Sequence, residues 1–284
     1  AGGYLWDRCI EANVSYRSYG EWVTNPKKHG EPGKPNVKSL EGKIDPYYWG
    51  YDLDYPDVKR TERFLSELGR FEKEGDMPRM QVVRLGNDHT SGTRVGKLTP
   101  TAMVADNDLA LGQLVEGISK SKFWKETAIF VIEDDAQNGS DHVDAHRAVA
   151  LVISPFTRRG IVDSTMYSTS SMLRTMELIL GLKPMSQFDA AATPMYNSFM
   201  AKGDNTPYIH APARVDLTEV NQATAWGAKL SEGFNLAKED AADDLLFNEV
   251  IWRSVKGPNS PMPAPVRAAF FMGKVKKDKD DDDD

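Results

Sequence analysis

Two almost continuous apolar segments, residues 127–132 and 148–153, constrain the fold more than any other feature of the sequence. Apolar segments of this length without polar alternation are typical of strands that helices cover on both faces. Around them, apolar residues at helical spacing predict helices over 57–74, 102–121 and 168–180. Strands that alternate with helices in this way predict an α/β fold, with a mostly parallel sheet and helices on both faces.

The other predicted elements define three regions of unequal regularity. Residues 4–13 favour a short helix, and residues 14–19 and 80–85 favour strands. We expect an α/β domain over 1–182, with a loop insertion at 25–57 that is rich in Pro, Gly, Lys and Tyr. A helical and irregular extension is expected over 183–273, with a helix at 237–255, followed by an acidic disordered tail at 274–284.

Composition excludes several classes of protein. Hydrophobic residues make up 40% and charged residues 27% of the 284 positions, which is ordinary for a globular chain. The net charge of −7 argues against nucleic acid as a partner, because phosphate backbones attract basic surfaces. No run of about 18 apolar residues predicts a transmembrane segment. The single cysteine, Cys9, rules out an internal disulfide.

Charged residues are concentrated where two predicted strands end. Asn87, Asp88 and His89 follow the strand at 80–85, and a Glu-Asp-Asp run at 133–135 follows the strand at 127–132. Ligands of open parallel sheets bind beyond these strand ends. Adjacent carboxylates repel one another, and a cation between them removes the repulsion. The alternative is a solvated acidic loop with incidental histidines.

Several short motifs identify a resemblance to a known family. Asn-Asp-His-Thr at 87–90, Val-Ala-Asp-Asn-Asp at 104–108 and the segment 132–143 resemble the phosphoesterase family of bacterial phospholipases C and acid phosphatases, within the alkaline phosphatase superfamily. The run at 141–147 is similar to one in bacterial alkaline-phosphatase-like proteins, which often carry a β-propeller before this domain. The resemblance covers roughly residues 1–200 and is specific over 80–180. It implies an alkaline-phosphatase-like fold that lacks its N-terminal segment.

The resemblance implies a role for each matching residue. The implied metal ligands are Asp134, Asp135, His142 and His146. Implied catalytic residues are His89 and His142, and implied substrate-binding residues are Asn87, Asp88, His89 and Arg147. For Arg147, an ion pair at the surface is the alternative. The metal stays open among Zn, Mn, Fe, Ca and Mg, although mixed carboxylate and imidazole ligands suit Zn, Mn or Fe better than Ca.

The chain departs from the family pattern in two places. Relatives place their Ser or Thr nucleophile in an N-terminal segment, so we expect the nucleophile upstream of this chain. Relatives also have His-Thr-Ser where this chain has Thr-Ser-Ser at 169–171, which leaves the number of metal ions open.

The expected function is metal-dependent hydrolysis of a phosphate mono- or diester, either a small molecule or a phospholipid. Sulfate-ester hydrolysis, phosphoryl transfer and a catalytically incomplete metal-binding fragment are the alternatives. The resemblance further implies a periplasmic or secreted location and an upstream segment, such as a β-propeller, as a partner.

Overall fold

A computed structural model describes residues 3–134, 139–141, 143–238 and 241–267. In chain order its helices are α1 (Leu5–Glu11), α2 (Asp57–Glu74), α3 (Pro100–Lys120), α4 (Thr169–Leu180), α5 (Gln187–Ala191), α6 (Ala228–Glu232) and α7 (Asp244–Lys256). Its strands are β1 (Tyr16–Tyr19), β2 (Val23–Thr24), β3 (Lys34–Pro35), β4 (Met80–Val83), β5 (Ile129–Ile132) and β6 (Ala150–Ile153). The α/β class expected from the sequence is confirmed.

Helices α2 and α3 pack against each other and form the centre of the fold. Helix α2 buries Phe64, Leu68 and Phe71, and it ends at Gly75, whose φ of 85° lies in the left-handed region that favours glycine. Helix α3 begins after Thr99, whose hydroxyl accepts a hydrogen bond from the Ala102 amide. The N-terminal ends of these two helices carry the polar residues of the site described below.

The strands of the described residues form three two-stranded sheets. β1 and β4 are parallel, while β2 with β3 and β5 with β6 are antiparallel. The two long apolar segments therefore pair antiparallel, with Ile129 opposite Ile153. A parallel pair would need a crossover connection, usually a helix, and the described residues between β5 and β6 contain none. A mostly parallel sheet with helices on both faces stays a prediction.

The apolar residues of the β1–β4 pair join two separate clusters. Tyr16, Met80 and Val82 contact a cluster that includes residues of α1 and α4. Tyr19 and Val83 contact a second cluster that includes residues of α2 and α3. The β5–β6 pair is less covered than its sequence suggests, since Ile132 and Leu151 keep about two fifths of their surface exposed (39% and 42%).

Among the described residues after Leu182 most are irregular, with only short helices before α7. Helix α7 begins later than predicted because the Asp243 side chain caps it by accepting from the Leu246 amide at 2.8 Å. A third cluster, built on Phe234, Leu236, Phe247 and Val250, joins this part to Leu53. No helix in the described ranges combines the length and apolar character that crossing a bilayer requires.

Candidate active site

A buried carboxylate holds the turn that follows β4 through hydrogen bonds to its backbone amides. Residues Asn87–His89 form one turn of 3-10 helix. Asp57, the first residue of α2, is fully buried, and its carboxylate accepts hydrogen bonds from the amides of Gly86 and Asn87 at 3.1 and 2.8 Å. The same carboxylate pairs with the guanidinium of Arg60 at 2.8 Å. The turn is therefore attached to the N-terminus of α2.

Helix α3 holds the turn from a second side. The Asn87 side chain is buried, and its amide group donates to the Asp106 carboxylate at 2.8 Å. Asp106 also accepts from the Asp57 amide at 2.6 Å, so the same carboxylate oxygen joins α2, α3 and the turn. Burial raises the pKa of Asp106, and the hydrogen bonds from Asp57 and Asn87 oppose that rise.

Asp88 connects this turn electrostatically to the end of β5. Its pKa is raised, first by desolvation of the carboxyl group and then by the negative charges of Asp57 and Glu133. The residue as a whole keeps an exposed surface. Asn107 donates to the Asp88 carboxylate at a distance of 3.3 Å. Glu133 directly follows β5, so its charge acts from the end of that strand on the turn after β4.

The structure describes two of the four implied metal ligands, Asp134 and His146. Asp134 is exposed and directly follows Glu133. Asp135 and His142 lie outside the described residues. His146 is exposed, and its Nδ1 lies 2.6 Å from a carboxylate oxygen of Asp144. Within the described ranges, no three His, Cys, Asp or Glu side chains are grouped so that they could hold a metal ion.

Arg147 forms the surface ion pair that the sequence left as an alternative to phosphate binding. Its guanidinium is within 3.1 Å of both carboxylate oxygens of Asp141. Hydrogen bonds from the Val143 amide and from Arg147 lower the pKa of Asp141 to about 2. This loop also contacts the segment that follows α7, because the Ala145 amide donates to the Val266 carbonyl.

The imidazole of His89 lies between aromatic side chains. Its Nδ1 is 3.1 Å from the carbonyl oxygen of Thr90. The Tyr51 ring meets it edge-on, with centroids 6.1 Å apart, and the Phe247 ring is tilted against it at 5.5 Å. Tyr51 belongs to the loop insertion and Phe247 to α7, so residues far apart in sequence fix the ring.

Carboxylates dominate what the described part of the site can do chemically. Asp57, Asp88, Asp106 and Glu133 place several negative groups around two strand ends, and the pKa of Asp88 responds to that charge. Asp57 and Asp106 use their carboxylates to hold the turn, and the carboxylates of the described residues do not by themselves form a cation site. A cavity of about 190 Å³ lies beside the turn and is lined by Asn87, Ser91 and Lys97, among others.

Sequence reasoning missed the residues that support the turn. Asp57 and Arg60 occupy the first turn of a charged helix, where nothing in the local pattern separates them from solvated surface residues. A Pro-Asp pair at the start of a charged amphipathic helix was the available signal for Asp57. Phe247 was part of an apolar stripe with no sign of a role at the site.

Comparison with known proteins gives one positive result. The model of the Phosphoesterase family matches residues 5–183. Every candidate site residue predicted from the sequence lies within this range, whereas Phe247 and the rest of α6 and α7 lie beyond it. No curated protein matches the chain significantly.

Proposed function

Because the chain belongs to the phosphoesterase family, we propose that it takes part in the metal-dependent hydrolysis of phosphate mono- or diesters. The observation that carries the proposal is the match of the family model to residues 5–183, a range that contains both charged strand ends. The proposed site lies between the Asn87–His89 turn and the Glu-Asp-Asp run at 133–135. Small phosphate esters and phospholipids are the proposed substrates.

The proposed metal ligands are Asp134 and Asp135, with His142 and His146 as imidazole ligands. A bound metal ion polarises the phosphoryl group and neutralises its charge. His146 already has Asp144 at its Nδ1, which would orient the ring and leave Nε2 for the metal. Zn, Mn and Fe are preferred over Mg and Ca because the ligand set mixes carboxylates with imidazoles.

The remaining proposed roles belong to the turn after β4. His89 would hold the substrate phosphate or give a proton to the leaving oxygen. Asn87 and Asp88 would stand beside the phosphate, with the Asp88 carboxylate held by the Asn107 amide. Arg147 would reach the phosphate only by sharing or leaving Asp141. The Ser or Thr nucleophile is proposed to come from a segment upstream of this chain, and no hydroxyl of this chain is assigned to that role.

Metal binding by the purified chain tests the proposal without requiring the nucleophile. Isothermal titration with Mn²⁺ and Zn²⁺ is compared between the wild type and a D134N/D135N double variant, and the bound metal is counted by elemental analysis. The expected result is at least about ten-fold weaker binding in the double variant, since loss even of residues that only support ligands weakens metal sites by that factor. D163N is the matched control, because Asp163 is an exposed aspartate whose partners are its own neighbours Thr165 and Tyr167. Equal binding by the wild type and the double variant would refute the metal site.

Activity is measured on the protein that includes the upstream segment. The substrates are p-nitrophenyl phosphate, its bis ester and p-nitrophenyl sulfate, each with and without a chelator. Hydrolysis of phosphate esters that the chelator abolishes supports the proposal. Preference for the sulfate ester would favour sulfate-ester hydrolysis, and metal binding without turnover would favour an incomplete fragment. A periplasmic or secreted location remains a proposal based on the resemblance, as does a preceding β-propeller.

A further inference from the structure

Helix α7 lies outside the range matched by the family model and yet reaches the imidazole of His89. The Phe247 side chain is almost fully buried, and its ring is tilted at 37° to the imidazole with centroids 5.5 Å apart. Phe247 is itself supported by Phe234, whose ring meets it edge-on at 5.2 Å. The second wall of this imidazole site is the Tyr51 ring. The ring of His89 is therefore held by a residue that the family comparison does not cover.

A glycine allows α7 to come this close. A Cβ atom added at Gly92 would lie 3.2 Å from the Phe247 ring and 2.9 Å from the Ser231 hydroxyl. Gly92 also has a φ of +58°, in the region that side chains disfavour. The loop after His89 can pass directly under α7 only because this position carries no side chain.

The backbone next to His89 determines which ring nitrogen carries the proton. The Thr90 carbonyl oxygen, 3.1 Å from Nδ1, can only accept a hydrogen bond, so Nδ1 carries the hydrogen. In the described part of the chain, Nε2 makes no hydrogen bond. Thr90 has a φ of 63° and a ψ of 170°, a backbone conformation that β-branched residues rarely adopt. Its buried hydroxyl accepts from the Gly92 amide, which holds the residue in this conformation.

We propose that Phe247 is a positioning residue for His89: together with Tyr51 it holds the imidazole so that Nδ1 donates to Thr90 and Nε2 is presented to the substrate phosphate. The assignment of a substrate phosphate to Nε2 rests on the proposed function. The orientation of the ring is inferred from its contacts alone. A neutral Nε2 can accept a hydrogen bond or take up a proton, and in the protonated ring it donates to a phosphate oxygen.

The orientation is tested by long-range ¹H–¹⁵N NMR of the histidine rings in the ¹⁵N-labelled chain, with the His89 signals assigned from their loss in H89Q. The wild type is expected to show the Nδ1–H tautomer for His89. In F247A we expect loss of this single state, seen as a shift of the His89 ring nitrogens toward the average of the two tautomers. F247L keeps apolar volume without a ring and is expected to show the same shift, so the test survives if F247A does not fold.

L246A is the matched control, because Leu246 precedes Phe247 on α7 and contributes to the same apolar cluster without ring contact to His89. The L246A variant should keep the wild-type His89 spectrum. An Nε2–H tautomer in the wild type, or an unchanged His89 spectrum in both folded Phe247 variants, would overturn the proposal.

The NMR result is independent of turnover, so it separates this proposal from the proposed function. In the active protein, F247L is expected to lower kcat by about ten-fold or more with little change in KM, because small misplacement of a catalytic group slows the chemical step. Suppose that the Phe247 variants lose the Nδ1–H tautomer but the wild type hydrolyses no phosphate ester. This result would refute the proposed function and uphold the positioning role of Phe247. Full kcat in F247L would overturn the role of Phe247 in presenting Nε2.

Discussion

At the scale of single residues, the buried pair of Asp57 and Arg60 joins the loop insertion to the candidate site. The two side chains are 0% and 1% exposed, so both charges have left water. Arg60 donates to the carbonyl oxygens of Trp49, Gly50, Asp52 and Tyr55 as well as to Asp57. Complete hydrogen bonding offsets the cost of burying such a pair, whereas removal of one partner leaves a buried charge without compensation.

We therefore expect D57N to lower the free energy of unfolding by about 3–5 kcal/mol. The Arg60 charge would remain buried, and the amides of Gly86 and Asn87 would lose a charged acceptor. Urea denaturation measures the change. E62Q is the control on the same helix, since Glu62 forms only an exposed pair with Lys59 and its loss should stay within about 0.5 kcal/mol. A loss below about 1 kcal/mol in D57N would show that the pair does not hold the turn.

The sequence identified the residues of the turn but not their support. Asn87, Asp88 and His89 stand directly after an apolar strand, and the position of strand ends in α/β folds makes such residues visible. Asp57 acts through contacts with residues 29 to 50 positions away. Whether a charged residue on a helix is buried depends on the tertiary packing, and the periodicity of one helix carries no information about its neighbours.

At the scale of elements, two carboxyl groups join α4 to α5. Glu177 and Asp189 are 0% and 2% exposed, and Arg174 on α4 lies 3.3 Å from Glu177. Burial and the hydrogen bond with Asp189 raise the pKa of Glu177 to about 7, while Arg174 opposes the rise. For Asp189, burial acts upward, but hydrogen bonds from Glu177 and from Ser186 lower its pKa below the ordinary range. The two shifts have opposite directions, so Glu177 is the carboxyl group of the pair that holds a proton to higher pH.

This pair predicts a pH dependence of stability. A carboxyl group whose pKa is higher in the folded than in the unfolded chain binds more protons when folded, so its contribution is lost as the pH rises. The free energy of unfolding of the wild type should fall between about pH 4.5 and pH 7 relative to that of E177Q, which cannot ionise there.

Urea denaturation at several pH values between 4.5 and 8 measures this difference. E126Q is the control, because Glu126 has an exposed side chain and should leave the slope unchanged. Parallel pH profiles for the wild type and E177Q would contradict the prediction.

Local sequence patterns predicted the helices and strands correctly but did not predict how the strands pair. Helix α2 spans residues 57–74, as its apolar spacing predicted, because that spacing directly reports the buried side of a helix. The apolar runs of β5 and β6 predicted strands correctly, but an apolar run does not specify whether its partner is parallel or antiparallel. Their antiparallel pairing is a tertiary feature that the composition of neither run encodes.

At the scale of the whole molecule, the part of the chain beyond the family match forms hydrogen bonds with the loop at 91–98, which follows the candidate site. The side-chain amide of Asn221 lies within 3.1 Å of the carbonyl oxygens of Gly92, Arg94 and Leu98. Thr93 donates from its amide to the Ser231 hydroxyl, and the Arg94 guanidinium donates to the carbonyl of Phe234. Several hydrogen bonds of residues 92–98 are therefore made to residues beyond the matched range.

Removal of the Asn221 side chain should loosen this loop. In N221A the three carbonyl oxygens lose their buried donor, at a cost of about 1–3 kcal/mol. We expect amide hydrogen exchange of residues 92–99 to become at least about ten-fold faster, as followed by mass spectrometry. Exchange in α2 should stay unchanged, and N235A, at an exposed position, should leave the loop as it is. An unaltered exchange rate of the loop in N221A would show that other contacts suffice.

The sequence did not reveal this dependence. Residues 183–235 have weak periodicity, and such segments form their contacts through single polar side chains rather than through an apolar stripe. The roles of Asn221 and Ser231 can be recognised only from the tertiary structure, which places the loop beside them.

The contacts that residues 221–234 make with the loop also have a consequence for the evolution of the chain. If the region matched by the family model were recombined into another protein without this extension, Thr93 and Arg94 would lose their partners and His89 would lose the Phe247 ring. Selection would then act on both parts of the chain together, so substitutions at Gly92 or Phe247 should be tolerated only with compensating changes on the other side of the boundary.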